Sequence, residues 1–361
     1  MTRAKSGQNG ELYLPPGERA ELINELKACD GDIDAARKKV DYQQLLVSQE
    51  RGLYLRRRLY TEDSTQVATA CRQLCEACNC TATVMLQDGN LRGAHDLLKR
   101  AEQVADKSDL DRAITWNNLA CYYRRMGKLR TAVTYLERAL EIEEFIRDAD
   151  AAQTHLNLCA TLSQLERHAD ALYHAQSALI RVYEILSPAM LEGKLSSEKG
   201  QDGQEDQGAE LVTVLCIAYH NLAVEHEYLK NYEAAVCAYA EGVRWSSKFL
   251  KEGHQLCGIL KDSVEAVRPK LPPHSGAARR VAELTATWDA SKTTTDKSEN
   301  PSDGTRTRKD STQRIGSREG ITNSDLMTPR TKAGNTKGSI GSYSAEEFDV
   351  ESAPGSPTNI P

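Results

Sequence analysis

Small residues recur in this chain at a fixed register, and that register limits the fold more than any other feature. An alanine sits at Ala94, Ala132, Ala171 and Ala235, with steps of 38, 39 and 64 residues. Seven positions after each comes Ala101, Ala139, Ala178 or Gly242, and twelve positions before each comes Ala82, Ala120, Cys159 or Ala223. Self-similarity at this period is the mark of stacked helix pairs. Two helices approach to about 8 Å only where the crossing side chains are small. The apolar spacing around the small residues agrees. Leu119, Tyr123 and Leu129 make one face, and Val133, Leu136 and Leu140 make the face opposite. Gly127 stands where the first helix of that pair should stop. Neither helix can bury its stripe alone, so the units must stack.

The phrase WNNLACYYRRMGKLRTAVTYLERALE, residues 116–141, resembles the tetratricopeptide repeat. Trp116, Leu119, Ala120, Tyr123, Ala132 and Ala139 fill its signature, with Leu136 at the usual aromatic and Glu144 at the closing proline. The long spacing and the phrases NNLA (117–120) and HNLA (220–223) are similar to the kinesin-light-chain type of repeat. The resemblance covers residues 60–250. It is weakest over 78–104, where Cys78 replaces the aromatic. It implies an all-α, right-handed solenoid of antiparallel helix pairs.

The expected organisation is a flexible arm at 1–16, a helical cap at 17–61, about four repeats at 62–250, capping helices at 251–288 and a disordered tail at 289–361. Within the cap, Asp30-Gly31-Asp32 reads as a turn and 33–59 as one helix. The 64-residue step is explained by a polar insert at 187–209, expected to be a mobile loop. The tail carries almost no apolar residue, too few to offset chain entropy. It holds two proline-directed phosphorylation candidates, Thr328 and Ser356, and the acidic segment Glu346-Glu347-Phe348-Asp349-Val350.

Composition closes several functional classes. A net charge of −6 gives no global attraction to nucleic acid. The start is polar, so no secretory leader is expected, and the longest apolar run, Leu211–Tyr219, is half a membrane span. Ten cysteines scattered through helices suit reduced thiols in a cytoplasmic protein. No phosphate loop, HExxH or GxSxG is present, so neither an enzyme nor a cofactor is expected.

Position six of repeats two to four is asparagine each time: Asn118, Asn157 and Asn221. Asparagine is a mediocre helix former, so a row of them in register asks for a reason. Its amide can bond the main chain of an extended peptide, which is the role the resemblance implies. It can also bond the neighbouring helix and hold the repeat spacing. Asn117, Arg124, Arg125, His220 and Tyr228 lie on the same helices, and the two arginines favour an acidic partner. The carboxylate clamp of chaperone-binding repeats is not expected, because Asn79, Ile217 and Asn221 occupy the positions that need cations. The cluster CRQLCEACNC (71–80) contains one CxxC and reads as helix packing rather than a zinc or redox site.

The leading function is therefore a non-catalytic scaffold holding an extended peptide or partner helix in its concave groove. A second reading is a structural subunit of a cytoskeletal or ciliary assembly, contacting through its convex face and tail. A third is a zinc- or redox-sensing helical protein.

Overall fold

The computed structural model describes residues 10–105, 108–146, 151–191, 207–251 and 253–295. Among them the chain forms twelve α-helices and one short 3-10 turn, with no strand beyond a single antiparallel bridge between Glu11 and Tyr60. Helices α1 (Pro16–Lys39) and α2 (Tyr42–Leu59) form a cap. Four pairs follow: α3 (Thr65–Gln87) with α4 (Leu91–Val104), α5 (Asp109–Arg125) with α6 (Leu129–Ile146), α7 (Ala152–Gln164) with α8 (His168–Leu191), and α9 (Gln207–Tyr228) with α10 (Tyr232–Phe249). Helices α11 (Gln255–Val267) and α12 (Gly276–Thr295) close the far end. Each helix packs chiefly on its neighbours in sequence, as an α-solenoid requires.

The recurring small residues sit where the argument from helix approach needs them. Ala82, Ala94, Ala101, Ala120, Ala132, Ala139, Cys159, Ala171, Ala178, Ala223 and Ala235 are fully buried. At Gly242 an added Cβ would lie 3.0 Å from Leu260 Cδ2. Leucines complete the layers: Leu86, Leu98 and Leu119 in one cluster, and Leu136, Leu158 and Leu162 in the next.

The turns inside the pairs share one geometry. Gly89, Gly127, Glu166 and Lys230 follow the first helix of each pair, and all have φ between 61° and 75°. The left-handed residue lets the turn's next amide reach back into the helix, as in Lys128 N–H to Tyr123 O at 2.9 Å. Helix starts are capped by side chains. Ser64 accepts from Val67 N–H, Asn90 from Gly93 N–H and Ser108 from Asp111 N–H.

Three boundaries differ from the sequence expectation. Helix α1 runs straight through Asp30-Gly31-Asp32, because Leu22, Cys29, Ile33 and Ala36 keep one continuous buried face. The break falls instead at Val40, with φ 55°, followed by Asp41, whose carboxylate caps α2. Helices α8 and α9 extend into both ends of the expected insert, to Leu191 and from Gln207, and α12 continues to Thr295. Residues 1–9 of the arm, 192–206 of the insert and 296–361 of the tail lie outside the described residues, and with them Thr328, Ser356 and the acidic segment. Residues 10–12 run beside the end of α2, with Leu12 N–H bonded to Leu59 O and Thr61 N–H to Gly10 O.

Candidate interaction surface

The first helices of the pairs carry a ladder of buried amides and hydroxyls from one unit to the next. Asn79 on α3 donates to Thr115 Oγ1 on α5 at 2.9 Å and to its own helix at Cys75 O. Asn118 on α5 returns a bond to Asn79 Oδ1 at 2.9 Å. On the α7 side, Asn117 donates to Thr154 Oγ1 at 2.6 Å, and Asn157 donates to Asn117 Oδ1. Gln153 then donates to Asn157 Oδ1 at 3.3 Å. Asn117, Asn118 and Asn157 have no exposed surface. Sequence reasoning placed these amides beside a bound peptide or a neighbouring helix. The structure places three of them between helices. A buried amide must find a partner or cost about 1–3 kcal/mol, and here the next unit supplies it. Thr115 was not singled out from sequence, and Asn79 was named only as lacking the cation of a carboxylate clamp, although it stands 39 residues before Asn118.

Asn221 is different. It is 2% exposed, and its Oδ1 makes no well-formed hydrogen bond among the described residues, although the His220 side chain interacts with it. Next to it, His220 is buried edge-on against Tyr239 of α10, with its Nδ1 also lacking a well-formed hydrogen bond. Burial lowers the His220 pKa. The ladder is thus complete through unit three and has spare hydrogen-bonding capacity in unit four.

The remaining expected residues lie near the helix ends. Arg124 is buried. Arg125 is exposed on its outer part and donates through Nη1 to Leu86 O, tying the second turn to the first unit. Tyr228 is 60% exposed and stacks on His168 at 4.1 Å between ring centroids. His168 Nδ1 lies 2.8 Å from the fully buried Glu225 carboxylate, whose pKa burial raises.

The cysteine cluster packs. Cys75 and Cys78 are buried, and burial pushes the Cys78 thiol up to about 12 and Cys80 up to about 11. A thiol so hard to ionise is a poor nucleophile. Among the described residues no three His, Cys, Asp or Glu side chains gather as a metal site would need.

Residues 111–184, which span α5 to α8, match the tetratricopeptide repeat family. Residues 111–184 carry tetratricopeptide repeats. Among solved structures, BtubC (BKLC) from P. vanneervenii is similar with a TM-score of 0.51 and 18% identity, over 77% of this chain and 99% of that one. A putative kinesin light chain of Podosopora anserina with nearly identical TPR-like repeats has a TM-score of 0.44 and 17% identity, over 63% and 99%. A Rap protein complexed with Competence and Sporulation Factor has a TM-score of 0.42 and 14% identity, over 78% and 80%. No curated protein matches the sequence at a significant level. The tetratricopeptide match supports a protein–protein interaction scaffold in general terms. No described helix is long and apolar enough to cross a membrane.

Proposed function

We propose that this chain is a non-catalytic scaffold that holds an extended peptide, or a partner helix, along the inner face of its tetratricopeptide repeats. The observation that supports this most is Asn221 Oδ1, which lacks a well-formed hydrogen bond while the asparagines of units two and three are bonded between helices. Asn221 Oδ1 is itself shielded from solvent, so a main-chain N–H from a bound strand would reach it only through a local shift of α9. Exposed Tyr228 and Arg125 lie at the helix ends, where an aromatic plane and a cation would select an acidic segment. Asn117, Asn118 and Asn157 then serve the site by holding repeat spacing.

The two kinds of asparagine separate by mutation. Asn118→Ala strands Asn79 Oδ1 in the interior, and should lower stability by about 1–3 kcal/mol in urea melts. Asn221→Ala removes an amide whose oxygen has no well-formed hydrogen bond, and should cost under about 1 kcal/mol while depleting the partners recovered by proximity labelling in cells. Unchanged partners for Asn221→Ala and Tyr228→Ala together would sink the inner-face reading.

A second reading, a structural subunit of a cytoskeletal or ciliary assembly, draws support from exposed apolar side chains. Tyr173 and Ile180 stand seven residues apart on one face of α8, at 63% and 60% exposure, and Phe145 on α6 is 85% exposed. In this reading Tyr173→Ser with Ile180→Ser releases the protein from the detergent-insoluble fraction, and Asn221→Ala does not. Retention of the double variant in that fraction would remove the outer-face reading.

A further inference from the structure

Five of the eight histidines fall on three consecutive helices: His155 on α7, His168 and His174 on α8, and His220 and His226 on α9. One contact among them has no stable doubly protonated form. His155 Nδ1 and His174 Nδ1 lie 2.9 Å apart, with ring centroids 5.2 Å apart. At that distance one nitrogen donates and the other accepts, so the pair carries one proton between the two facing atoms. A second proton there sets N–H against N–H and breaks the hydrogen bond, and protonation of both rings would put two cations in contact. His155 is 4% exposed, so water does little to screen them.

We propose that unit three is a proton-operated joint, in which uptake of a second proton by the His155–His174 pair forces α7 away from α8 and bends the solenoid at that point. The charged groups around the pair oppose protonation of its buried member. His155 faces the Arg181 cation of α8 as well as His174. His174 has Asp170, which favours its proton, and Arg167, which disfavours it, with Tyr173 packed edge-on. Burial, then His174, then Arg181 bring His155 down to about 4, and burial lowers His174 as well.

The neighbouring interfaces respond differently, which localises the effect. Between α8 and α9, Glu225 works in the opposite sense. Burial raises its pKa, so acid relieves the cost of its charge and favours the closed arrangement with His168. Between α9 and α10, His220 beside Tyr239, Asn221 and Glu227 is lowered by burial and resists protonation, but it has no second ring nitrogen against it. Helices α3 to α6 hold one histidine, His95, half-buried against Tyr122. The inference does not depend on what occupies the inner face.

A histidine held at about 4 in the closed unit and near 6.5 when exposed makes opening about tenfold more favourable at pH 5.5 than at pH 7.4. Hydrogen–deuterium exchange of the full chain at the two pH values, corrected for intrinsic exchange, reads that change. Amides of α7 and α8 should show about a tenfold rise in opening, and those of α5 and α6 less than a twofold rise. Substituting both His155→Asn and His174→Asn keeps a hydrogen bond and removes the titration, so the acid response should vanish. An equal rise in both units, or a full response in the double variant, overturns the proposal. If the double variant fails to melt cooperatively at pH 7.4, the NMR titration of His155 in the wild-type chain decides. A midpoint below pH 5 supports the joint, and one at 6 or above overturns it.

Discussion

At the scale of single residues, the four pair turns show how a repeat tolerates a poor residue. The same position is Gly89, Gly127, Glu166 and Lys230, and all four adopt a left-handed backbone. For glycine that conformation carries no steric cost. For an L residue the Cβ crowds the carbonyl and costs about 1–2 kcal/mol. Units three and four therefore carry strain that units one and two do not. Glu166→Gly and Lys230→Gly should each raise stability by about 0.5–1 kcal/mol, net of the added freedom of the unfolded chain. Gly127→Ala should lower it by a similar amount. Urea denaturation checks both signs, and a destabilised Lys230→Gly would mean that the turn holds its lysine for a contact. Gly127 was readable as a helix stop from sequence. Glu166 and Lys230 were not, because nothing in an isolated glutamate or lysine announces a positive φ. Only their register with the glycines does.

At the scale of helices, periodic burial decided more than turn signals. The four pairs were legible because each carries small residues at the crossing and leucines on facing stripes, and these signals repeat. The cap was misread at one point. Asp30-Gly31-Asp32 has turn composition, yet the stripe of Leu22, Cys29, Ile33 and Ala36 passes through it, and burying that stripe outweighs about 1 kcal/mol of glycine penalty. The true break has a capping cause, since the Asp41 carboxylate accepts from Gln44 N–H at 3.0 Å. Asp41→Ala should lower stability by about 1 kcal/mol, and Asp32→Ala by much less, because Asp32 lies inside α1 and caps nothing. Equal losses in thermal melts would contradict this assignment. The amide row was equally visible, but its partners were not. Asn79 and Thr115 lie in a different unit and at a different helical position from one another, and which of them an amide meets depends on how far one helix is rotated against the next. No pattern within one helix records that rotation.

At the scale of the whole molecule, stability is a sum over neighbouring units, because each helix touches chiefly those next to it in sequence. The buried core of the described residues runs from Leu22 in α1 to Val281 in α12 without an empty unit. Its two ends are closed differently. At the N-terminal end Leu53 of α2 joins the cluster of the first pair, while Leu55 and Leu59 pack on α1. At the C-terminal end Leu260, Val264 and Val267 of α11 join the large cluster of the last pair. The two caps give each terminal unit the neighbour it needs to bury its open stripe. Residues 296–361 add charge and hydroxyl groups but few apolar side chains, so they have little to contribute to that sum. A chain ending at Thr295 should therefore melt within about 2 °C of the full chain. A chain ending at Leu250, which loses α11 and its buried leucines and valines, should melt far earlier or aggregate, because the apolar face of α10 then meets water. The comparison is informative in both directions. A large loss on removing only 296–361 would show that the tail packs on the solenoid, and would make it a candidate occupant of the inner face. A small loss on removing α11 and α12 would show that the fourth pair closes the stack by itself.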